Sequence, residues 1–172
     1  MTKQEIIKII SNAVPRIDKN IFGETGKNMI GSNQFRELAA LCRHAECFDE
    51  IKLLIQYNEA KAIVEKWDKE TKKNKVVRTS WASKKEGEKS SLADIVVECM
   101  NSIKEASGDD ETQCMQNLSL FFGYFYWNAR IWTAQNKLKY SQTPADKPQD
   151  GDNRGNNPHS DRHNNKDRRG RK

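Results

Sequence analysis

Residues 109–140, DDETQCMQNLSLFFGYFYWNARIWTAQNKLKY, decide the fold of this chain. Apolar side chains recur in this stretch at alternating spacings of three and four, the period of one face of an α-helix: Met115, Leu118, Phe122, Phe125, Ala129 and Trp132. A second apolar row follows the opposite side of the same helix: Leu120, Tyr124, Trp127 and Ile131. A helix with two apolar rows would expose aromatic surface to water if it stood alone. The sequence therefore predicts that other helices wrap it.

Gly123 lies in the middle of this helix, where glycine costs about 1 kcal/mol relative to alanine. We interpret it as a contact point between helices, because a neighbour that packs close to bare backbone would explain the residue. The aromatic rows are interpreted as core packing and not as a cofactor or base-stacking surface, since apolar repeats at helical spacing usually mean packing.

Composition limits the class of protein. The chain has 172 residues, of which 35% are hydrophobic and 31% charged, and its net charge is +6. This length fits one domain plus a tail, and the lean apolar content suits a small helical body with much solvated surface. The basic balance favours phosphate-bearing or acidic partners. Many solvated helical proteins are basic without binding nucleic acid, so both interpretations stay open.

The sequence shows no signal for a membrane span, a disulfide framework or a metal site. It has no run of eighteen apolar residues and no signal peptide, so we expect a soluble, cytoplasmic protein that does not bind membranes. The four cysteines, Cys42, Cys47, Cys99 and Cys114, are unpaired by spacing and are expected to be reduced core residues. Cys42, His44 and Cys47 do not have zinc-finger spacing.

Catalytic motifs are equally absent from the sequence. Gly26-Lys27 lacks the earlier glycine and the following Ser or Thr of a phosphate-binding loop, since Ile21 and Asn28 occupy those positions. No nucleophile elbow or metal-ligand pair is present either. We therefore expect no enzyme activity, no catalytic residues and no cofactor.

Four more helical segments precede the aromatic helix. They are a short helix after the capping box of Thr2 and Glu5, a helix from Asn33 to about Ala45 with Ser32 as its N-cap, a helix from Asp49 toward Trp67, and a helix that starts at Ser91 and Asp94. Asn20 to Gly31 is predicted to be a loop, and Ser107-Gly108 a turn between two antiparallel helices. No stretch longer than a few residues alternates at period two, so no sheet is expected.

The predicted fold class is accordingly all-α, a compact bundle of about five helices over residues 1–140. Residues 141–172 have lost their apolar side chains and carry eight basic and five acidic residues. Such a segment cannot bury enough surface to offset its ordering entropy. We expect it to be a disordered, polar and basic C-terminal tail.

Two basic segments are candidates for phosphate contact. Arg36 and Arg43 are seven residues apart, so on one helix they would leave in nearly the same direction and could bridge successive phosphates. They could equally form surface ion pairs with neighbouring carboxylates, and the residues alone favour this second interpretation. The segment from Lys69 to Ser91 is rich in lysine, interleaved with Val76, Val77 and Trp81, and is expected to be an exposed helical extension or a flexible basic loop.

The order of these pieces resembles a known family. Ser32, Gln34 and Arg36 open one helix, Leu53-Leu54 lies in the next, and Phe121-Phe122 begins an aromatic run that ends at Arg130. Together they are similar to the small subunit of type III CRISPR effector complexes, particularly the Csm-type, over roughly residues 28–132. The resemblance implies a bundle of about five helices with no catalytic role. It also implies that copies of the chain stack along the interior of the complex, with guide RNA and target RNA and the backbone and large subunits as further partners.

This resemblance implies RNA contact through phosphate and sugar, because base pairing supplies specificity. The leading candidate RNA-binding residues are Arg36 and Arg130, which match family positions, and Arg43, which follows from helical spacing. Lys52, Lys61 and Lys72 are further candidates. The alternative is a helical adaptor or self-associating interaction module that uses the aromatic helix and binds no RNA. Its assembly would be insensitive to salt, whereas RNA affinity falls steeply with salt.

Overall fold

The structure, a computed structural model, describes residues 1–24 and 28–142 and is mostly helical. The five α-helices are α1 (Lys3–Ala13), α2 (Asn33–Leu41), α3 (Phe48–Lys61), α4 (Leu92–Ser107) and α5 (Glu111–Gln142). Three short 3₁₀ turns lie at Val14–Arg16, Lys19–Ile21 and Ser80–Ala82. The first two residues of the predicted tail, 141 and 142, belong to α5. The rest of that tail, and residues 25–27 of the predicted loop, lie outside the described residues.

A two-stranded antiparallel hairpin interrupts the helical body, so the prediction of an all-α fold without a sheet is wrong. Strand β1 (Ile63–Asp68) pairs with strand β2 (Lys73–Arg78). The predicted helix toward Trp67 ends at Lys61, and residues 69–78 form a turn and a strand instead of a helical extension or loop. The strands contain the β-branched and aromatic residues that favour extended backbone: Ile63, Val64, Trp67, Val76 and Val77.

The turn of the hairpin is built by Asp68. Its carboxylate accepts hydrogen bonds from the backbone N–H groups of Glu70, at 2.9 Å, and Thr71, at 3.2 Å. These donors favour the ionised form and hold the pKa of Asp68 below its ordinary value. Lys72 closes the turn with φ of 51°. The turn therefore depends on an ionised aspartate at the end of β1.

Helices α1 and α4 begin as the sequence predicts. Thr2 with Glu5, and Ser91 with Asp94, form complete capping boxes. Ser32 occupies the N-cap position of α2, but its side chain makes no capping hydrogen bond. Two of the three predicted side-chain caps are thus confirmed.

Helix α5 forms the centre of the core. Phe122, Phe125 and Ala129 are completely buried, which confirms the first apolar row as core. Helix α2 runs antiparallel along α5: the Phe35 and Phe125 rings are 4.6 Å apart, and Ser119 Oγ donates a hydrogen bond to the Ala39 carbonyl at 2.8 Å. Helix α4 is joined to α5 through Gly108, as the short turn predicts.

The second apolar row of α5 is not covered by the part of the chain that the structure describes. The exposed fractions are 37% for Leu120, 61% for Trp127 and 54% for Ile131, and Tyr124 is half-buried. A Cβ built on Gly123 would meet no atom of the described residues within 4 Å. The predictions that other helices wrap both sides, and that Gly123 is a contact between helices, are therefore wrong for a single copy. We call these five residues the outer face of α5.

Candidate nucleic-acid interface

Arg36 is an exposed cation on α2. The helix buries Phe35, Leu38 and Ala39 against the core, so the adjacent Arg36 side chain extends into solvent. Among residues 1–24 and 28–142 it forms no ion pair, in contrast to the ion-pair interpretation of its sequence context. Its guanidinium is available to an external anion.

Arg43 does not share a helix with Arg36. Helix α2 ends at Leu41, four residues earlier than expected, and Arg43 lies in the turn that follows. The seven-residue spacing therefore no longer fixes a common direction for the two arginines. Arg43 is exposed and lines a groove of about 430 Å³ together with Glu46 and Glu111. These carboxylates make the surroundings of Arg43 less favourable for a phosphate than those of Arg36.

Arg130 and Lys137 of α5 share one carboxylate. Glu24 lies 3.4 Å from Arg130 Nη1 and 2.5 Å from Lys137 Nζ. The hydrogen bond from Lys137, with a smaller contribution from Arg130, holds the pKa of Glu24 below its ordinary value. Arg130 is thus an exposed cation whose charge is already partly balanced within the chain.

The three candidate lysines differ in exposure. Lys52 is half-buried on α3. Lys61 ends α3, where a cation suits the helix dipole, and its Nζ lies 5.1 Å from the centre of the Tyr57 ring. Lys72 is exposed in the turn of the hairpin. Because Ala62 alone separates Lys61 from β1, Lys61 and Lys72 belong to opposite ends of one hairpin.

One face of the hairpin brings Lys66 together with Lys73 and Lys75 of the basic segment identified in the sequence. The register places Lys66 directly opposite Lys75, and Asp68 opposite Lys73. Side chains two apart on a strand share a face, so these four residues lie on the same side, beside the pair Val64 and Val77. Lys66 and Lys75 are both exposed. Two cations opposite each other destabilise a strand pair, and Asp68, on the same face, offsets part of the charge of Lys75.

The opposite face of the hairpin is equally exposed and mixed, with Glu65, Asn74 and Arg78 among its six residues. Its apolar members are Ile63, Trp67 and Val76, whose exposed fractions are 41%, 63% and 54%. An exposed indole can stack on an unpaired base, and it does so without regard to base identity. The hairpin therefore presents two facing ammonium groups on one side and an exposed indole on the other.

The hairpin has the highest net charge among the exposed elements of the described residues. Residues 63–78 contain six basic and three acidic side chains, a net charge of +3, compared with +6 for the whole sequence. The sequence signal that could have identified the hairpin is the mixture of lysines with Val76, Val77 and Trp67. Without the strand register, that mixture could not show which lysines face each other.

No metal-binding cluster of histidine, cysteine and acidic side chains occurs in residues 1–24 and 28–142. Cys42, Cys99 and Cys114 are buried thiols, as predicted, whereas Cys47 is exposed and the prediction that it belongs to the core is wrong. Burial raises the pKa of Cys42 to about 12 and that of Cys99 to about 11.

These features define a small, mostly helical protein with a protruding basic hairpin. Neither a protein-family model, a curated protein nor a solved structure matches the chain. Among the helices of the described residues, none combines the length and apolar character that crossing a bilayer requires.

Proposed function

We propose that this protein is a non-catalytic, RNA-contacting small subunit of a type III CRISPR effector complex, and that it binds the backbone of guide and target RNA. The observation that carries RNA contact is the exposed pair of Lys66 and Lys75 across the hairpin. The wider assignment rests on the sequence resemblance, which also supports a cytoplasmic complex with backbone and large subunits as partners.

The two facing lysines of the hairpin repel each other in the free protein. Like charges in opposing positions on two strands repel, and here neither strand face is buried to compensate. An RNA phosphate between the two ammonium groups would turn this repulsion into two attractive contacts. Lys72 and Lys61, at the two ends of the hairpin, would extend the same phosphate-binding track.

Arg36 is the second contact in this proposal because it is exposed and unpaired within the described residues. Arg43, Lys52 and Arg130 contribute less: Arg43 lies beside carboxylates, Lys52 is half-buried, and Glu24 engages Arg130. All of these contacts are independent of sequence, which suits a subunit whose complex reads its target by base pairing.

The binding test uses the full chain and a single-stranded RNA of mixed sequence, titrated at several salt concentrations. Changing Lys66 and Lys75 together to Gln should weaken binding and reduce the salt slope by about 0.7, the contribution of the one phosphate that the two lysines share on a single strand. The matched control changes Lys3 and Lys8 to Gln on α1, where both lysines are exposed. If both double variants lost RNA affinity equally, the loss would come from net charge alone. The hairpin would then not be the RNA-binding site.

The assignment to an effector complex has its own test. The tagged protein is recovered from its native cell, and its bound RNA is sequenced and its bound proteins identified. Short repeat-derived guide RNAs together with backbone subunits, reduced by Arg36→Glu and by the hairpin double variant, are the expected result. Protein partners recovered without RNA, in a salt-insensitive assembly, would refute the proposal and favour the adaptor alternative.

A further inference from the structure

The outer face of α5 combines large apolar side chains with bare backbone. Trp127 and Ile131 are more than half exposed, and Tyr124 packs against Trp127 with ring centres 5.3 Å apart. Gly123 lies one helical turn before Trp127 and has open space where a Cβ would be. Glycine in a helix interior is unfavourable, and packing within residues 1–24 and 28–142 does not account for it.

Charged residues are sparse along the middle of this helix. Between Glu111 and Lys137 the only charged residue of α5 is Arg130, although 31% of the chain is charged. Burial against the core explains the absence of charge on the inner face of the helix. It does not explain why the outer side, which lies in water, carries only Arg130, seven residues after Gly123 and therefore in nearly the same direction. Depletion of charge around exposed aromatic side chains is typical of the buried centre of a protein interface.

We propose that the outer face of α5 is a self-association surface, on which α5 of a second copy packs antiparallel across a two-fold axis. The axis lies midway between Gly123 and Trp127, so that Trp127 of each copy covers Gly123 of the other. The projecting indole and the bare backbone are adjacent on the same face, which makes the face complementary to itself. A parallel pair in register would instead place each indole against its own counterpart.

The ends of α5 favour the same orientation. Asp109 and Asp110 precede the helix and Glu111 begins it, whereas Lys139 and Lys137, which also pairs with Glu24, lie in its last two turns. In the antiparallel register, the acidic start of one copy falls opposite the basic end of the other, and the helix dipoles oppose each other. A parallel pair would bring like charges together at both ends. Complementary charge thus identifies a second copy as the occupant of this face.

Sedimentation measurements of the nuclease-treated full chain, from low to high micromolar concentration, test the association. The wild type is expected to dimerise, and Trp127→Lys should raise the dissociation constant about tenfold or more, the effect of losing a central interface residue. The matched control is Trp67→Lys on the hairpin, because the two indoles are 61% and 63% exposed. A monomeric wild type, or equal weakening by both substitutions, would overturn the proposal.

Gly123→Leu gives a second test that does not depend on a charged substitution. The single copy has room for a side chain here, so the variant should keep its helical circular dichroism. In the dimer the new side chain would displace the partner's indole and weaken association by about tenfold or more. Dimers that form as tightly as those of the wild type would contradict the proposed register.

Orientation is measured by the distance between spin labels on Gln116→Cys, introduced together with Cys47→Ser to remove the exposed native thiol. In the antiparallel pair Gln116 lies opposite Ala134 of the second copy. The two labels are then separated along the axis by about 27 Å, at 1.5 Å per residue. A parallel pair in register would place them about 10 Å apart, the spacing of packed helices, and would overturn the two-fold arrangement.

Discussion

Lys66 and Lys75 lie directly opposite each other on the two strands of the hairpin, next to the oppositely charged pair of Asp68 and Lys73 on the same face. The two pairs give a matched comparison. Lys66→Glu replaces a repulsive pair with an attractive one, whereas Lys73→Glu replaces an attractive pair with a repulsive one. Cross-strand pairs contribute about 0.2–1 kcal/mol each, so the stability effects should differ in sign.

We expect amide exchange in residues 63–78 to slow in Lys66→Glu and to accelerate in Lys73→Glu. Both variants make the same change in net charge, and both should bind RNA more weakly than the wild type. Hydrogen exchange followed by mass spectrometry, with an RNA titration of each variant, checks the two effects separately. If RNA affinity followed hairpin protection in both variants, the lysines would act through folding of the hairpin and not through phosphate contact.

Arg16 ties the segment after α1 to α4 and the preceding loop. Its guanidinium lies 2.5 Å from Glu98 and 3.2 Å from Glu88. The hydrogen bond from Arg16 holds the pKa of Glu88 below the ordinary value of 4.5. A carboxylate with a depressed pKa in the folded state contributes stability that is present above 4.5 and is lost as the pH falls through the folded-state value.

The free energy of unfolding should therefore decrease as the pH falls from neutral to about 3, across the range in which carboxylates protonate. Glu88→Gln should lower stability at neutral pH and flatten this decrease, because the amide does not titrate. Urea unfolding of the wild type and Glu88→Gln at the two pH values checks the difference. Parallel pH dependences would show that Glu88 contributes nothing to acid sensitivity.

Trp81 anchors the segment between the hairpin and α4. It is 3% exposed, its Nε1 donates a hydrogen bond to Gln34 Oε1 at 2.8 Å, and its ring centre is 5.3 Å from that of Phe35. Trp81→Phe should destabilise the fold by about 1–2 kcal/mol, because Gln34 loses its donor and the smaller ring leaves space. Chemical unfolding measures this loss. Trp67→Phe on the exposed hairpin is the control and should stay within about 0.5 kcal/mol of the wild type.

The four cysteines should differ in reactivity. Cys47 is exposed, whereas Cys42, Cys99 and Cys114 are buried. Burial raises the pKa of all three buried thiols, so almost none of the reactive thiolate forms there near neutral pH. A colorimetric thiol reagent should titrate one thiol quickly in the native protein and the other three after unfolding. Loss of the fast phase in Cys47→Ser assigns it, and a second fast thiol would contradict the burial.

The sequence predicts α5 well because two local signals coincide there. An apolar period identifies its buried row, and the acidic start and basic end bracket it, so the expected and observed ends differ by two residues each. Capping boxes locate the starts of α1 and α4 for a similar reason, since both partners of each box lie within four residues. Local chemistry is sufficient wherever an element's boundary is decided by its own neighbours.

The hairpin could not be predicted from the same kind of signal. A half-buried strand alternates polar and apolar residues because one of its faces is buried. Most of the residues of β1 and β2 are exposed, so their sequences do not show this alternation. The ion pairs of the candidate site could not be predicted from the sequence either. Spacing identifies Arg130 as a surface cation, but its partner Glu24 is 106 residues away in the sequence and is brought close only by the fold. Periodicity likewise shows two apolar rows on α5 without showing which one the chain covers.

Two glycines separate the effect of space from the effect of backbone conformation. Neither Gly123 nor Gly108 has an atom of the described chain within 4 Å of an added Cβ. Gly123 has ordinary helical geometry, whereas Gly108, which ends α4, has φ of 62° and ψ of −139°, a region that is essentially restricted to glycine. Alanine should therefore be favourable at the first position and strained at the second.

We expect Gly123→Ala to raise the free energy of unfolding by up to about 1 kcal/mol, and Gly108→Ala to lower it by about 1–3 kcal/mol. Denaturant unfolding at low protein concentration, where the chain is monomeric, measures both changes without a contribution from association. A loss of stability in dilute Gly123→Ala would mean that something within a single copy packs against Gly123. The chain itself would then fill the space beside Gly123, and Trp127 of a second copy could not pack there.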